Sequence, residues 1–187
     1  EQNAGRADVM VLSTDTLIYG GLVDSRKHNL PLSTLENRLK RIEALKANHK
    51  NTRIYGFGTV MRSPRASGGG TEPSYYADYG PTIFQIAALQ DKLDAGTLTQ
   101  AETQKLMSLQ ASVPVEYLQD WFSRRQKNMQ VNKDLIDEAR NGVFAYFALG
   151  HDDTSQLSQS ALEGRYLNQY SKGIPRTQYG SFPGADQ

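Results

Sequence analysis

Residues 143–149 (VFAYFAL) form a short apolar run that leads directly into Gly150-His151-Asp152-Asp153. A run of this length, rich in aromatic residues and closed by glycine, reads as a buried strand rather than a helix. Two other runs share its character. Residues 7–13 (ADVMVLS) precede Gly20-Gly21, and residues 52–61 (TRIYGFGTVM) carry Gly56 and Gly58, which weaken the strand or mark where another backbone comes close. Strands apolar on both faces suit a sheet covered on both sides. Between them the spacing turns helical. Leu35, Leu39, Ile42 and Leu45 fall on one face of an amphipathic helix, and Ser33 with Glu36 predicts a capping box at its start. Residues 82–95, 100–111 and 114–140 read as three more helices; Pro114 suits the first turn of the last, and Asn141-Gly142 its end. A helix is predicted over 158–170, stopped by Gly173 and Pro175, and a final strand over 178–182. Residues 62–80, with prolines at 64 and 73 and glycines at 68, 69, 70 and 80, read as one long irregular loop.

The order β-α-β-loop-α-α-α-β-α-β predicts an α/β fold, with three to four mostly parallel strands joined by crossover helices. Either a Rossmann-like layer or part of a barrel satisfies it. So few strands leave raw edges. The expectation is a single α/β domain over residues 1–187 that is an internal portion of a longer protein, with the rest of that chain as its partner. An opening at Glu1-Gln2-Asn3, without methionine, points the same way. A chain of 187 residues is long enough for one core. The net charge of +1 gives no reason to expect nucleic acid or a charged membrane as partner. No apolar run reaches the roughly 20 residues that span a bilayer. Cysteine is absent, which excludes disulfides and thiolate metal sites.

Parallel sheets bind ligands beyond the carboxyl ends of their strands. The first strand leads there to Asp15, Tyr19, Ser25 and Arg26, and the second to Arg62, Ser63, Arg65, Glu72, Tyr75 and Tyr76. The third delivers His151, Asp152, Asp153 and Thr154, and the last ends near Pro183-Gly184-Ala185-Asp186. Neighbours on a continuing strand face opposite ways, so Asp152 and Asp153 serve one ligand only if the chain turns, as Gly150 permits. The pair fits acid/base work, as in glycoside cleavage. It also fits a hard cation held by carboxylate oxygens with His151, or simple capping of the next segment by Asp153 or Thr154. On the helix over 114–140, Arg125 and Asn132 share the line of Leu118, Phe122, Met129 and Ile136, with Arg124 and Asn128 beside it. A charge inside an apolar stripe needs a partner. Either these residues point at the strand-end carboxylates, or the stretch is exposed and its arginines snorkel. There is no dinucleotide fingerprint, and Gly68-Gly69-Gly70 has neither a helix start nor a P-loop lysine. His28, His49 and His151 match no metal spacing, and no Gly-x-Ser-x-Gly elbow occurs. No cofactor or metal is called for. Tyr75, Tyr76 and Tyr79 suit stacking on a sugar ring or pinning the loop.

These motifs together resemble one family, the uncharacterised bacterial proteins grouped as domain-of-unknown-function family 4127. The resemblance rests on residues 13–22 (STDTLIYGGL) with Ser25-Arg26, Met61-Arg62, Glu72-Pro73-Ser74-Tyr75-Tyr76, Arg124-Arg125 with Asn128 and Asn132, Gly150-His151-Asp152-Asp153, and Pro183-Gly184-Ala185-Asp186. They fall in the family's order over nearly the whole chain. The chain departs from the family pattern at Tyr76, where tryptophan is usual, and at His151, where glutamine is usual. The resemblance implies longer relatives with an earlier strand and further α/β units, and it brings no activity with it.

The leading expectation is a hydrolase-like domain acting on a glycan or another hydroxyl-rich small molecule. Asp152, Asp153 and Asp15 are its candidate catalytic carboxylates; Tyr19, Arg26, Arg62, Glu72, Tyr76, Arg125 and Asn128 are its candidate substrate-binding residues. The alternative is a non-catalytic ligand-binding or structural module whose Asp and Arg motifs form an internal salt-bridge network.

Overall fold

The computed structural model describes residues 7–66, 70–153 and 155–184. Thr154, Ala185 and Asp186, and Gly68 and Gly69 of the glycine run, lie outside the described residues. Four strands, β1 (Val9–Ser13), β2 (Arg53–Val60), β3 (Tyr146–His151) and β4 (Tyr179–Pro183), pair in sequence order, and every pair is parallel. The fold class is the one the alternation of strands and helices implies: an open α/β layer of the Rossmann-like kind.

Helices α1 (Thr14–Tyr19), α2 (Leu22–Ser25) and α3 (Leu32–Asn48) connect β1 to β2. Then α4 (Tyr76–Asp94), α5 (Gln100–Ser112) and α6 (Val115–Arg140) connect β2 to β3, and α7 (Gln159–Tyr170) connects β3 to β4. Ile54, Val60, Phe147 and Leu149 of the sheet share one core with Leu35, Leu39 and Ile42 of α3, Leu135 and Ile136 of α6, and Leu167 of α7. A smaller cluster joins Tyr76, Ile83, Ile86, Leu106 and Trp121.

Sequential order with crossovers of one hand returns each helix to the same side of the sheet. Val9, Val11, Phe57 and Phe182, which alternate with the core residues, are accordingly exposed, Val11 by 69%. The expectation of a sheet covered on both sides is therefore not met within the described residues.

Four local expectations need correction. The segment after β1, for which no element was expected, is helical: Ser13 Oγ accepts from the backbone N–H of Thr16, and Gly20, at φ 109°, closes α1 in the left-handed conformation that favours glycine. Ser33 does not cap α3. That helix begins two residues earlier, with extended Pro31 at its N-cap and no side-chain cap. The irregular stretch over 62–80 ends sooner, because α4 already starts at Tyr76 and carries Pro81 inside it. Burial of the Tyr76 ring against Gly80, where an added Cβ would come within 2.4 Å of it, outweighs the hydrogen bond that Pro81 forfeits. β3 begins at Tyr146, three residues later than its apolar run, since Val143 and Phe144 serve the turn out of α6.

Gly56 and Gly58 do mark close approaches, but of side chains. A Cβ at Gly56 would lie 2.6 Å from the Phe144 ring, and one at Gly58 would lie 2.3 Å from Thr14 Oγ1. Gly56→Ala should therefore overpack the sheet–helix seam and cost about 1–3 kcal/mol of stability, read as a lower denaturation midpoint with an unchanged denaturant slope.

Candidate functional site

The carboxyl ends of β1, β2 and β3 bring five of the sequence-derived candidates into one charged cluster. Asp15 enters from the first turn of α1, beside Thr14, whose Oγ1 donates to the carbonyl of Phe57 at 3.0 Å. The Asp15 residue is 5% exposed, and Thr59 Oγ1 donates to its Oδ2 at 3.0 Å. Arg26, at the end of α2, donates from Nη2 to Asp152 Oδ2 at 2.6 Å, and the Asp152 side chain is fully buried. The other Arg26 nitrogen, Nη1, lies 3.9 Å from Glu72 Oε1. Glu72 in turn accepts from Arg62 Nε at 2.7 Å, while Arg62 Nη2 donates to Thr71 Oγ1 at 2.7 Å. Carboxylates and guanidinium groups thus alternate along the cluster.

Asp15 stands out electrostatically. Burial, which penalises the charged form, pushes its carboxyl from 3.8 up to about 7. The Thr59 hydrogen bond opposes that rise, the charge of Asp152 adds to it, and Arg26 opposes it again. A carboxyl group raised to near neutral pH, beside a second carboxylate paired with an arginine, is able to take up and release a proton there.

The other candidates do different work. Asp153 accepts backbone N–H groups at both oxygens, from Ser63 at 3.3 Å and Ser155 at 2.8 Å, so it ties the end of β2 to the loop after β3. Tyr19 stacks on His28 with ring centroids 5.1 Å apart, and burial raises its hydroxyl well above the usual tyrosine range. The Tyr76 hydroxyl donates to the carbonyl of Pro64 at 2.9 Å.

Arg125 does not face the strand-end carboxylates. Its guanidinium donates to both oxygens of Glu163 on α7 and to the carbonyls of Met61 and Arg62, with Trp121 beneath it at 4.8 Å. At 1% exposure it is not a snorkelling residue either. Asn128 donates to the carbonyl of Ser25 at 2.8 Å and shares a 2.8 Å hydrogen bond with His28 Nε2. His151 shares a 2.7 Å hydrogen bond with Ser181 and packs on Gly164, so it pins β4 and α7 to β3. Sequence reasoning missed Thr59, Thr71 and Glu163. A lone acid on the inner face of α7 was the available signal for Glu163.

Among the described residues, no set of three His, Asp or Glu side chains comes together to hold a cation. Beside Asp15 and Asp152, positive charge is supplied by Arg26. No helix among the described residues is long and apolar enough to cross a membrane.

Fold and cluster define an open parallel α/β domain with a carboxylate–arginine network at its strand ends. The family model for proteins of unknown function DUF4127 matches residues 1–187, and the chain belongs to that family. No curated protein and no solved structure matches it.

Because Asp15 binds its proton more tightly when folded, its contribution to stability is complete below its ordinary value of 3.8 and is lost as pH rises through about 7. Glu138, on the seam between α3 and α6, is also raised to about 7, by burial and by Glu43, Asp137 and Asp134, and it adds a slope of the same sign. Asp15→Asn should remove the Asp15 share alone. Chemical denaturation from pH 4 to pH 8 should show a shallower loss than in the unmodified chain, the two curves diverging by roughly 2–4 kcal/mol at the alkaline end.

Proposed function

We propose that this domain is hydrolase-like and acts on a glycan or another hydroxyl-rich small molecule, with Asp15 as the group that moves the proton. The observation that carries this reading is the pairing of a buried Asp15 carboxyl, raised to about 7, with an Asp152 carboxylate bound by Arg26. A carboxyl that holds its proton beside a carboxylate that is ion-paired gives a division into acid and charge-stabilising partner. Asp153, held by two backbone N–H groups, acts as an orienting residue for the loop that carries Asp152. Arg62, the most open of the cluster's ion-paired side chains, with Glu72 behind it, presents donors and an acceptor to sugar hydroxyls at the rim.

One observation favours a second reading. Asp152 and Arg26 are buried and paired with each other, as members of an internal salt-bridge network would be. In that reading the domain is a non-catalytic ligand-binding or structural module.

Asp15→Asn separates the two. On a panel of aryl glycosides, the proton-transfer reading predicts turnover by the unmodified chain and a loss of about 100-fold or more in Asp15→Asn, which keeps or gains stability. No turnover on any member, together with a panel of free sugars that leaves Tm unmoved, would favour the structural module.

A further inference from the structure

The buried face of α6 meets the segments that carry the cluster at backbone carbonyls, and each meeting point adjoins a cluster residue. Asn132 Nδ2 donates at 3.3 Å to the carbonyl of Thr59, the residue whose hydroxyl holds Asp15. Asn128 Nδ2 donates at 2.8 Å to the carbonyl of Ser25, immediately before Arg26. Arg125 donates to the carbonyls of Met61 and Arg62, at 2.7 and 2.9 Å. Two further contacts fasten the segment after Arg26: Arg124 Nε to the carbonyl of His28 and Lys127 Nζ to that of Leu30, both at 2.8 Å.

Thr59 lies near the end of β2, but the other gripped segments have little structure of their own. α2 spans only Leu22–Ser25 and has no side-chain cap, and among the described residues no regular element follows β2 before Tyr76. A long helix, by contrast, carries its own backbone hydrogen bonds and is a rigid reference. The amide orientation of Asn128 follows from its neighbours: its Oδ1 faces His28 Nε2, which places the N–H donor side towards Ser25. His28 then carries its proton on Nε2, in keeping with burial, which lowers its proton affinity and leaves it neutral.

We infer that Arg125, Asn128 and Asn132 are positioning residues: the face of α6 sets where Thr59, Arg26 and Arg62 stand, and through them the geometry of the Asp15–Asp152 pair. This rests on the proton-transfer reading for its function, but the positioning is testable separately. Loss of the Asn132 contact lets Thr59 drift from Asp15. A hydrogen bond that favours the ionised carboxyl weakens, and the Asp15 midpoint rises. A role confined to stability would not move that midpoint beyond what any equally destabilising change does. The charged and hydrogen-bonding groups that face Asp15 are Asp152, Arg26, Thr59 and Tyr19, and none of them is itself replaced by the substitution.

The test is carbon-13 carboxyl NMR on the full chain in Asn132→Leu and Asn128→Leu, which keep size and remove the donor, against Leu135→Ala. Leu135→Ala is a core truncation on the same helix at a residue with no side-chain donor. In Asn132→Leu the Asp15 midpoint should rise by about half a pH unit or more. In Asn128→Leu the Asp152 carboxyl resonance should move, while Leu135→Ala changes neither. Asn132→Ala is read identically if the leucine variant fails to fold. Equal shifts in Leu135→Ala, or none in either asparagine variant, would overturn the positioning role. If the unmodified chain titrates Asp15 at about 4, the proton-transfer reading falls instead, and the Asp152 resonance in Asn128→Leu still decides the positioning.

Discussion

The carboxyl ends of a parallel sheet expose backbone carbonyls whose strand partners have run out, and burying them requires donors from elsewhere. Here the largest donor is Arg125, a guanidinium that is 1% exposed. It pays for its own burial by pairing with Glu163 and spends its remaining hydrogens on the carbonyls of Met61 and Arg62 and on Ser160. A buried ion pair of this kind is weak evidence for stability, because desolvation offsets most of the attraction. Its consequence is geometric. A planar fork with fixed donor directions joins α6, α7 and the end of β2, and no apolar replacement would define their relative placement as sharply.

The cluster above that joint obeys one electrostatic rule. Where carboxylates crowd in a dry environment, either a cation pairs with them or one of them takes up a proton. Arg26 pairs with Asp152, and Arg62 with Glu72. Asp15 keeps a hydroxyl donor, Thr59, and its proton affinity rises. The same packing that makes Asp15 costly to ionise therefore makes it suited to exchanging a proton near neutral pH. Structure and proposed chemistry share a single cause.

Much of this was legible in the amino-acid order. Apolar runs ending in glycine or acid gave the strands, and Asn141-Gly142 gave the end of α6, because those signals are local. Asp15, Arg26, Arg62, Glu72 and Asp152 were identified by one topological rule, that parallel sheets present their ligands at carboxyl ends. The rest depended on partners distant in sequence. Arg125 and Asn128 announced themselves as polar residues beside an apolar stripe. Nothing in the stripe said whether they met the carboxylates or the backbone, and Glu163 lies 38 residues away. Tyr76 was assigned to a loop because prolines and glycines surround it, and only burial of its ring explains the helix there. Pro31, two residues before Ser33, holds the N-cap position of α3 without a side-chain cap, a boundary that sequence spacing does not resolve.

The central claim is that Asp15 carries a proton in the folded protein close to neutral pH. Infrared difference spectroscopy across an acid-to-neutral titration reads it directly. The expected result is a protonated-carboxyl band that persists to about pH 6 and fades through about 7, and that loses its Asp15 share in Asp15→Asn while the share of Glu138 remains. A band already gone by about pH 5, or one unchanged by Asp15→Asn, would contradict it.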